Sequence, residues 1–333
     1  MAGKRERKAF AERNLLIIVV VMWVFLAVAT RGNFSSFANI TNLLRQTSIN
    51  GVVAIGMTLI IITAGIDLSV GSIVGLSGMV FALLTSTRGA IQMDMLPALV
   101  IALLAAAAVG LVSAIAVHDG KVPPFIATLG MMTLVRGLVM YVSGGRMVTG
   151  LPMEFRQFSA LRILGMPALA WIWILLIILM LFVLKYTKFG RNLYAIGSNQ
   201  EAARLSGINV RINMYSFYVV AAIFSGIAGL MLATRMAAGV PTGGSGYELD
   251  AIAAAVIGGA SLMGGSGTVL GTALGAVIIQ TMRNGGNLLG ADPFIMQILI
   301  GALIVLAVFF DQYFKARKRL RVTRRASKEV DEK

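Results

Sequence analysis

No cysteine occurs among the 333 residues, which excludes disulfides, thiolate metal sites and cysteine nucleophiles while leaving the compartment open. Histidine is nearly missing as well. His118 stands alone in His118-Asp119-Gly120-Lys121, reads as a solvated loop residue, and leaves too few ligands for a zinc site. No G-x-x-x-x-G-K-[ST] string is present, so the chain has no phosphate-cradling loop of its own. Together these absences argue against a reaction carried out by this chain alone. Charge is scarce too, at 13% of residues, where a soluble domain carries roughly a quarter.

What fills the space is apolar. Hydrophobic residues make up 58% of the chain and mean hydropathy is +0.85. One soluble core cannot hide that much apolar surface, so the bilayer is the solvent and the chain reads as a polytopic membrane protein. The net charge of +15 follows topology. Lys4, Arg5, Arg7, Lys8 and Arg13 precede the first apolar run, and Lys315, Arg317, Lys318, Arg319, Arg321, Arg324, Arg325, Lys328 and Lys333 follow the last. Basic residues stay on the cytoplasmic side and orient a membrane protein; attraction to anionic membrane lipid is a second reading of the same tails. Neither tail interleaves aromatics with its charges, which speaks against nucleic acid as a partner. The basic start, the apolar run from Leu15 and Ala27-Val28-Ala29 share the pattern of a cleaved signal peptide. With many further runs behind it, this segment reads as an uncleaved first span.

Ten apolar runs fall near residues 14–30, 48–64, 69–87, 95–117, 122–143, 168–185, 212–234, 250–264, 267–283 and 294–312. The expectation is an all-α, polytopic transmembrane helical bundle of about ten spans, eight if short runs form re-entrant pairs. A basic tail at 1–13 leads into one membrane domain over 14–312, and a second basic tail closes the chain at 313–333. Ten spans leave both tails and the 185–211 loop in the cytoplasm, and Lys185, Lys188, Arg191, Arg204 and Arg211 on that loop agree. Gly65-Ile66-Asp67-Leu68 and Gly246-Tyr247-Glu248-Leu249 each open a glycine-rich run, which in register sets Gly78 opposite Gly259. Such a repeat would suit a transporter built from two related halves.

Glycine spacing suggests close helix packing. Gly267, Gly271 and Gly275 form one four-residue ridge, and Gly71 and Gly75 repeat the step; small residues on one helix face let another backbone approach in lipid. Ionisable groups in or beside spans are costly, which singles out Asp67, Arg136, Glu248, Asp250 and Arg283. They could line a transport path. The plain alternative is capping, with Asp67 and Ser69 serving the helix that follows them and Glu248 or Asp250 the run from Ala251.

The loop at 190–210 carries the most specific design. Ser198-x-x-Glu201 reads as a capping box. Ala202, Ala203, Arg204 and Leu205 favour helix, and Gly207 is placed to end it left-handed. The expected helix has about two turns, roughly 12 Å. A helix that short is marginal alone and needs a docking surface, either a partner or this chain's own membrane face.

At these residues the chain resembles a known family. GRNLYAIGSNQEAARLSGINV (190–210) is similar to the cytoplasmic loop of permease subunits in ABC sugar importers of the ribose type. Glu201-Ala202-Ala203 with Gly207 matches the E-A-A-x-x-x-G core of the loop that contacts the ATPase; the apolar residues further along that motif have no obvious counterpart. GMTLIIITAGIDLSVGS (56–72), VPPFIATLGMMTLVRGL (122–138) and AIAAAVIGGASLMGGSGTVLGTALGA (251–276) extend the likeness from about residue 40 to 312. The resemblance implies a bacterial inner-membrane subunit with no cofactor of its own. ATP and Mg²⁺ would sit on a separate cytoplasmic ABC ATPase. A periplasmic binding protein would deliver a monosaccharide, and a second permease copy or a paralogue would complete the path. Rival readings are a permease of this kind for branched-chain amino acids or another small solute, an ion-coupled secondary transporter, and a membrane scaffold without solute flux.

Overall fold

Short polar side chains start several of the helices. In the computed structural model, which describes residues 2–292, 294–303, 305, 306 and 309, Ser36 Oγ accepts the Asn39 N–H, Asn209 Oδ1 that of Ile212 and Thr268 Oγ1 that of Gly271. Each satisfies a donor that lacks an intrahelical partner. The helices are α1 (Ala2–Ala29), α2 (Phe37–Ile62), α3 (Val70–Thr85), α4 (Met95–His118), α5 (Pro124–Ser143), α6 (Met153–Phe158), α7 (Ala168–Tyr186), α8 (Lys188–Ser198), α9 (Gln200–Leu205), α10 (Val210–Met236), α11 (Tyr247–Ile257) and α12 (Val269–Leu288), with α13 at Phe294–Leu303. A two-residue hairpin, Arg162–Ile163 against Met166–Pro167, lies ahead of α7. The basic tail at 313–333 is outside the described residues.

All ten apolar runs carry helix, yet among the described residues only α1, α2, α4, α5, α7 and α10 are long and apolar enough to cross a membrane. The count of ten spans is therefore not reached on length and composition. The shortfall has a physical cause. α3 and α11 are 16 and 11 residues long, α12 carries Gln280, Arg283 and Asn284 in its second half, and α13 is described only over Phe294–Leu303.

α2 and α10 form the core and pack on each other; α11 and α12 pack on α2, while α3 and α4 pack on α10. The C-terminus of α2 meets the α8 end of the bundle, where Ile62 O accepts the Gly265 N–H. The C-terminus of α10 lies at the opposite, α6 end, where Gly239 pairs with Val148. The two core helices therefore run in opposite directions, each holding a short helix and a longer one, as in inverted-repeat transporters. The expected repeat holds between elements but not residue by residue: Gly78 sits inside α3 against Gly229 O, whereas Gly259 follows α11 at φ 87° with open space around it. α1 packs along α12, with Trp23 Nε1 donating to Thr281 Oγ1 at 3.1 Å.

Candidate functional site

At the α8 end the 185–211 segment folds as two helices. α8 turns Leu193 and Ile196 inward, both buried, and sets Phe189 edge-on to Phe217 of α10 at 4.9 Å between centroids. Tyr194 Oη donates to Gly267 O at 2.9 Å and Asn192 Nδ2 to Asn213 Oδ1 at 3.0 Å. Gly197 closes the joint: a Cβ there would overlap the carbonyl oxygen of Ile62 at the end of α2.

α9 then projects from this base. Its cap is Asn199, whose Oδ1 accepts the Ala202 N–H at 2.9 Å, and not Ser198. The expected capping box does not form, because Ser198 ends α8 and packs beside Gly265. Glu201 pairs instead with Arg204, 3.0 Å from Nε and 2.5 Å from Nη2; the bonded guanidinium holds the carboxyl below its ordinary range. Gly207, at φ 83°, donates to Arg204 O while Ile208 N–H reaches Ala203 O, the double bond pattern that closes a helix with a left-handed residue. Ala203 faces inward, while Glu201, Ala202 and Arg204 face out. Leu205, noted in the sequence only as a helix former, is 75% exposed. Beside this surface Asp119, at the end of α4, accepts from Arg211 Nη2 at 3.0 Å and from the Tyr215 hydroxyl.

A second constellation lies where α3, α5 and the start of α11 converge. A cleft of about 460 Å³ is lined by Ser72, Met132, Thr133, Arg136, Ser245 and Glu248, among others. Arg136 binds backbone: Nη1 donates to Pro241 O at 2.7 Å and Gly243 O at 2.9 Å, and Nη2 to Gly71 O at 3.1 Å. Two of those carbonyls belong to the non-helical segment between α10 and α11. Irregular backbone at membrane depth must find partners within protein, and this guanidinium supplies them. Glu248 lies in the first turn of α11 and its Oε1 accepts the Gly246 N–H at 3.2 Å, so it serves the helix start while its side chain borders the cleft. Gly71 and Gly75 do not form a helix-packing ridge. They make room for Glu248 and the Gly244 carbonyl, and for Arg136 and the Gly243 carbonyl. Gly271 and Gly275 do press on backbone, that of Gly258 just after α11 and of Ala254 within it, whereas Gly267 precedes α12 and meets Ile62 and Ala260 side chains.

Asp67 and Ser69 do not cap α3. Fully buried, Asp67 accepts from Ser69 N at 2.8 Å and Ser69 Oγ at 2.6 Å, closing the turn before the helix. Thr128 Oγ1 of α5 accepts the neighbouring Leu68 N–H and donates to Ile66 O, tying that turn to α5. Asp250 caps nothing either. Buried in α11, it pairs with Arg283 Nη2 of α12 at 2.6 Å. Among the described residues no group of three His, Cys, Asp or Glu side chains is placed to hold a metal.

Arg136→Lys keeps the charge but offers a single compact ammonium in place of the planar fork. It should lose at least one of the three carbonyl bonds, costing about 1.5–3 kcal/mol, and be read as a lower thermal midpoint of the purified protein. An unchanged midpoint would show that the fork does not hold the 241–243 backbone.

The model of the permease component of branched-chain amino acid transport systems matches residues 39–308. The chain is 40% identical over 316 residues to the ribose import permease protein of Escherichia coli (strain K12), covering 93% of this chain and 97% of that one. It is 40% identical over 301 residues to the ribose import permease protein of Bacillus subtilis (strain 168), with 90% and 91% covered. To the xylose transport system permease protein of Haemophilus influenzae it is 35% identical over 359 residues, with 89% and 95% covered. No solved structure matches. Cysteine-free, multi-pass and built around a projecting E-A-A-x-x-x-G helix, the chain belongs to the branched-chain amino acid transport system permease family, as an ABC permease of the ribose type.

Proposed function

We propose that this chain forms the membrane path of an ATP-driven monosaccharide importer. The observation that carries this reading is near-full-length identity to permeases named for ribose, with xylose, galactose and allose permeases beside them. The chain would cross the bacterial inner membrane ten times with both termini and α8–α9 in the cytoplasm. A separate ABC ATPase, binding ATP and Mg²⁺, would dock on Glu201, Ala202, Arg204 and Leu205, with the Asn199 cap and Gly207 holding that helix in shape. A periplasmic binding protein would hand over the sugar, and a second copy or a paralogue would close the path.

The division of labour explains the cleft. Arg136, Glu248, Ser72 and Ser245 are spent largely on backbone, so the walls offer a sugar few free partners. Weak binding suits a path whose substrate is selected elsewhere, because tight affinity would slow release. α9 would pass ATPase motion to α8, and α8 to the end of α2.

Uptake into energised vesicles tests the reading. Sugar uptake should ignore uncouplers and stop when the partner ATPase loses its phosphate-binding lysine; uptake that follows an ion gradient without any ATPase would overturn it. Within the chain, Gly207→Pro should uncouple transport while insertion persists, since proline holds φ near −65° and has no N–H for Arg204 O. Glu201→Arg should do the same by placing positive charge at the positive helix end. The Glu201–Arg204 pair is exposed and contributes little to stability, so a loss of uptake in Glu201→Arg reports docking rather than folding. Normal ATPase binding and uptake in both variants would remove α9 from the coupling route.

A further inference from the structure

We propose that the groove between α4 and α7 is a binding site for one acyl chain of a membrane phospholipid. α4 leans on α10 and α7 leans on α2, which leaves an opening between them. Its floor is α10, through Ile227, Leu230, Met231 and Thr234. Those residues fall at i, i+3, i+4 and i+7, one stripe on one helix face, about 10 Å long at 1.5 Å per residue. Leu99 and Ile172 are opposite walls, and the groove holds about 300 Å³.

The chemistry of the lining selects the occupant. Of its polar side chains, Thr234 already donates its hydroxyl to Phe155 O, and Glu154 lies at the α6 end. A sugar would find almost nothing to bond, and water does not settle in a site without polar partners. A protein helix would be expected to meet small residues, which allow close approach in lipid. The outward face of α7 instead presents Leu175, Ile178, Leu179 and Phe182. Lipid tails are the surrounding solvent here, and they conform to such a wall.

The α6 end gives the groove a roof and a headgroup level. Phe155 stacks on Phe81 at 4.1 Å between centroids, which pins α6 across the opening. Arg156 on the same short helix is exposed; its Nη2 donates to Met153 Sδ at 3.2 Å, and its other N–H groups can meet a lipid phosphate. Trp171 Nε1 donates to Ile163 O at 2.9 Å at this level, and tryptophan characteristically sits at the membrane–water boundary. A chain bound there would wedge α4 away from α7, the helix that continues into α8.

The absence of cysteine makes a clean test possible. Met95 lines the groove, and Leu96, next to it at the same depth, is 71% exposed on the outer face of α4. Met95→Cys and Leu96→Cys, each labelled with a fluorophore that bromine quenches, are purified as full chains. Phosphatidylglycerol brominated near the headgroup is then titrated into the micelles. The label at 95 should be quenched at about one-tenth of the lipid concentration needed at 96. Adding Leu99→Phe, which narrows the groove, should bring the response at 95 to that at 96. Equal quenching at both positions in the unfilled chain would overturn the site, leaving only annular lipid. Absence of quenching at 95, with a 95–95 crosslink between two copies, would overturn it in favour of a protein occupant. The comparison of 95 with 96 needs no groove-filling variant, so it stands if Leu99→Phe fails to fold.

Discussion

Gly197→Ala should cut uptake about tenfold or more while the protein remains inserted and still binds its ATPase. The added methyl would fall on the carbonyl oxygen of Ile62, and on the other side the Gly264 turn already presses against Gly197 O. Backbone on both sides cannot rotate away as a side chain can, so the strain of overpacking, about 1–3 kcal/mol, is relieved only by moving α8 off α2. The outward face of α9 is untouched, which is why ATPase binding should survive. Gly207→Ala is the matched control. It has open space around its Cα and suffers only from its φ of 83°, a cost of roughly 1–2 kcal/mol, with α8 still seated. ATP-driven uptake in vesicles, alongside pull-down of the ATPase, separates the two. Unimpaired uptake in Gly197→Ala would mean that the α8–α2 joint carries no motion.

Asp250→Ala should destabilise the bundle strongly. It strands the guanidinium of Arg283, whose partner carboxylate is 96% removed from the surroundings, Asp250 being 4% exposed. Breaking a buried pair from one side costs about 3–5 kcal/mol, because the remaining charge is uncompensated. Arg283 keeps 35% of its side chain open, which places the expected loss at the lower end, about 3 kcal/mol. Asp250→Leu with Arg283→Met should recover most of it, since a paired removal leaves no orphan charge. Thermal midpoints of Asp250→Leu, Arg283→Met and the double variant give the cycle. If the double variant is as unstable as Asp250→Ala, packing of α11 on α12 rather than charge pairing is what the aspartate protects.

Sequence pattern revealed the membrane class, the ten helical runs and the projecting α9, since each depends on hydropathy or on residues a few positions apart. It placed the cap one residue early. Ser198 and Asn199 are both capable caps, and the choice falls to Asn199 because the chain is extended there, at φ −162° and ψ 106°. α8 was within reach: Phe189, Leu193 and Ile196 recur at i, i+4 and i+7, but Lys185 and Lys188 ahead of them and Arg191 among them made the segment read as loop. The contacts of Arg136 with Pro241 and Gly243, and of Asp250 with Arg283, were out of reach. They depend on how distant segments meet, and nothing local marks them. The same holds for Gly71 and Gly75, whose spacing fits a helix partner but whose neighbours are a clamped loop and two charged side chains.

The joint between α8 and α2 has one further consequence. It is made by a glycine against a carbonyl, with no rotamer to swivel and no flexible tip to absorb displacement. A linkage of that kind leaves little play: a shift of α8 would be passed to Ile62, and through the Gly265 N–H bond to the same carbonyl to the turn ahead of α12. Both halves of the bundle would then receive the stroke from a single oxygen atom.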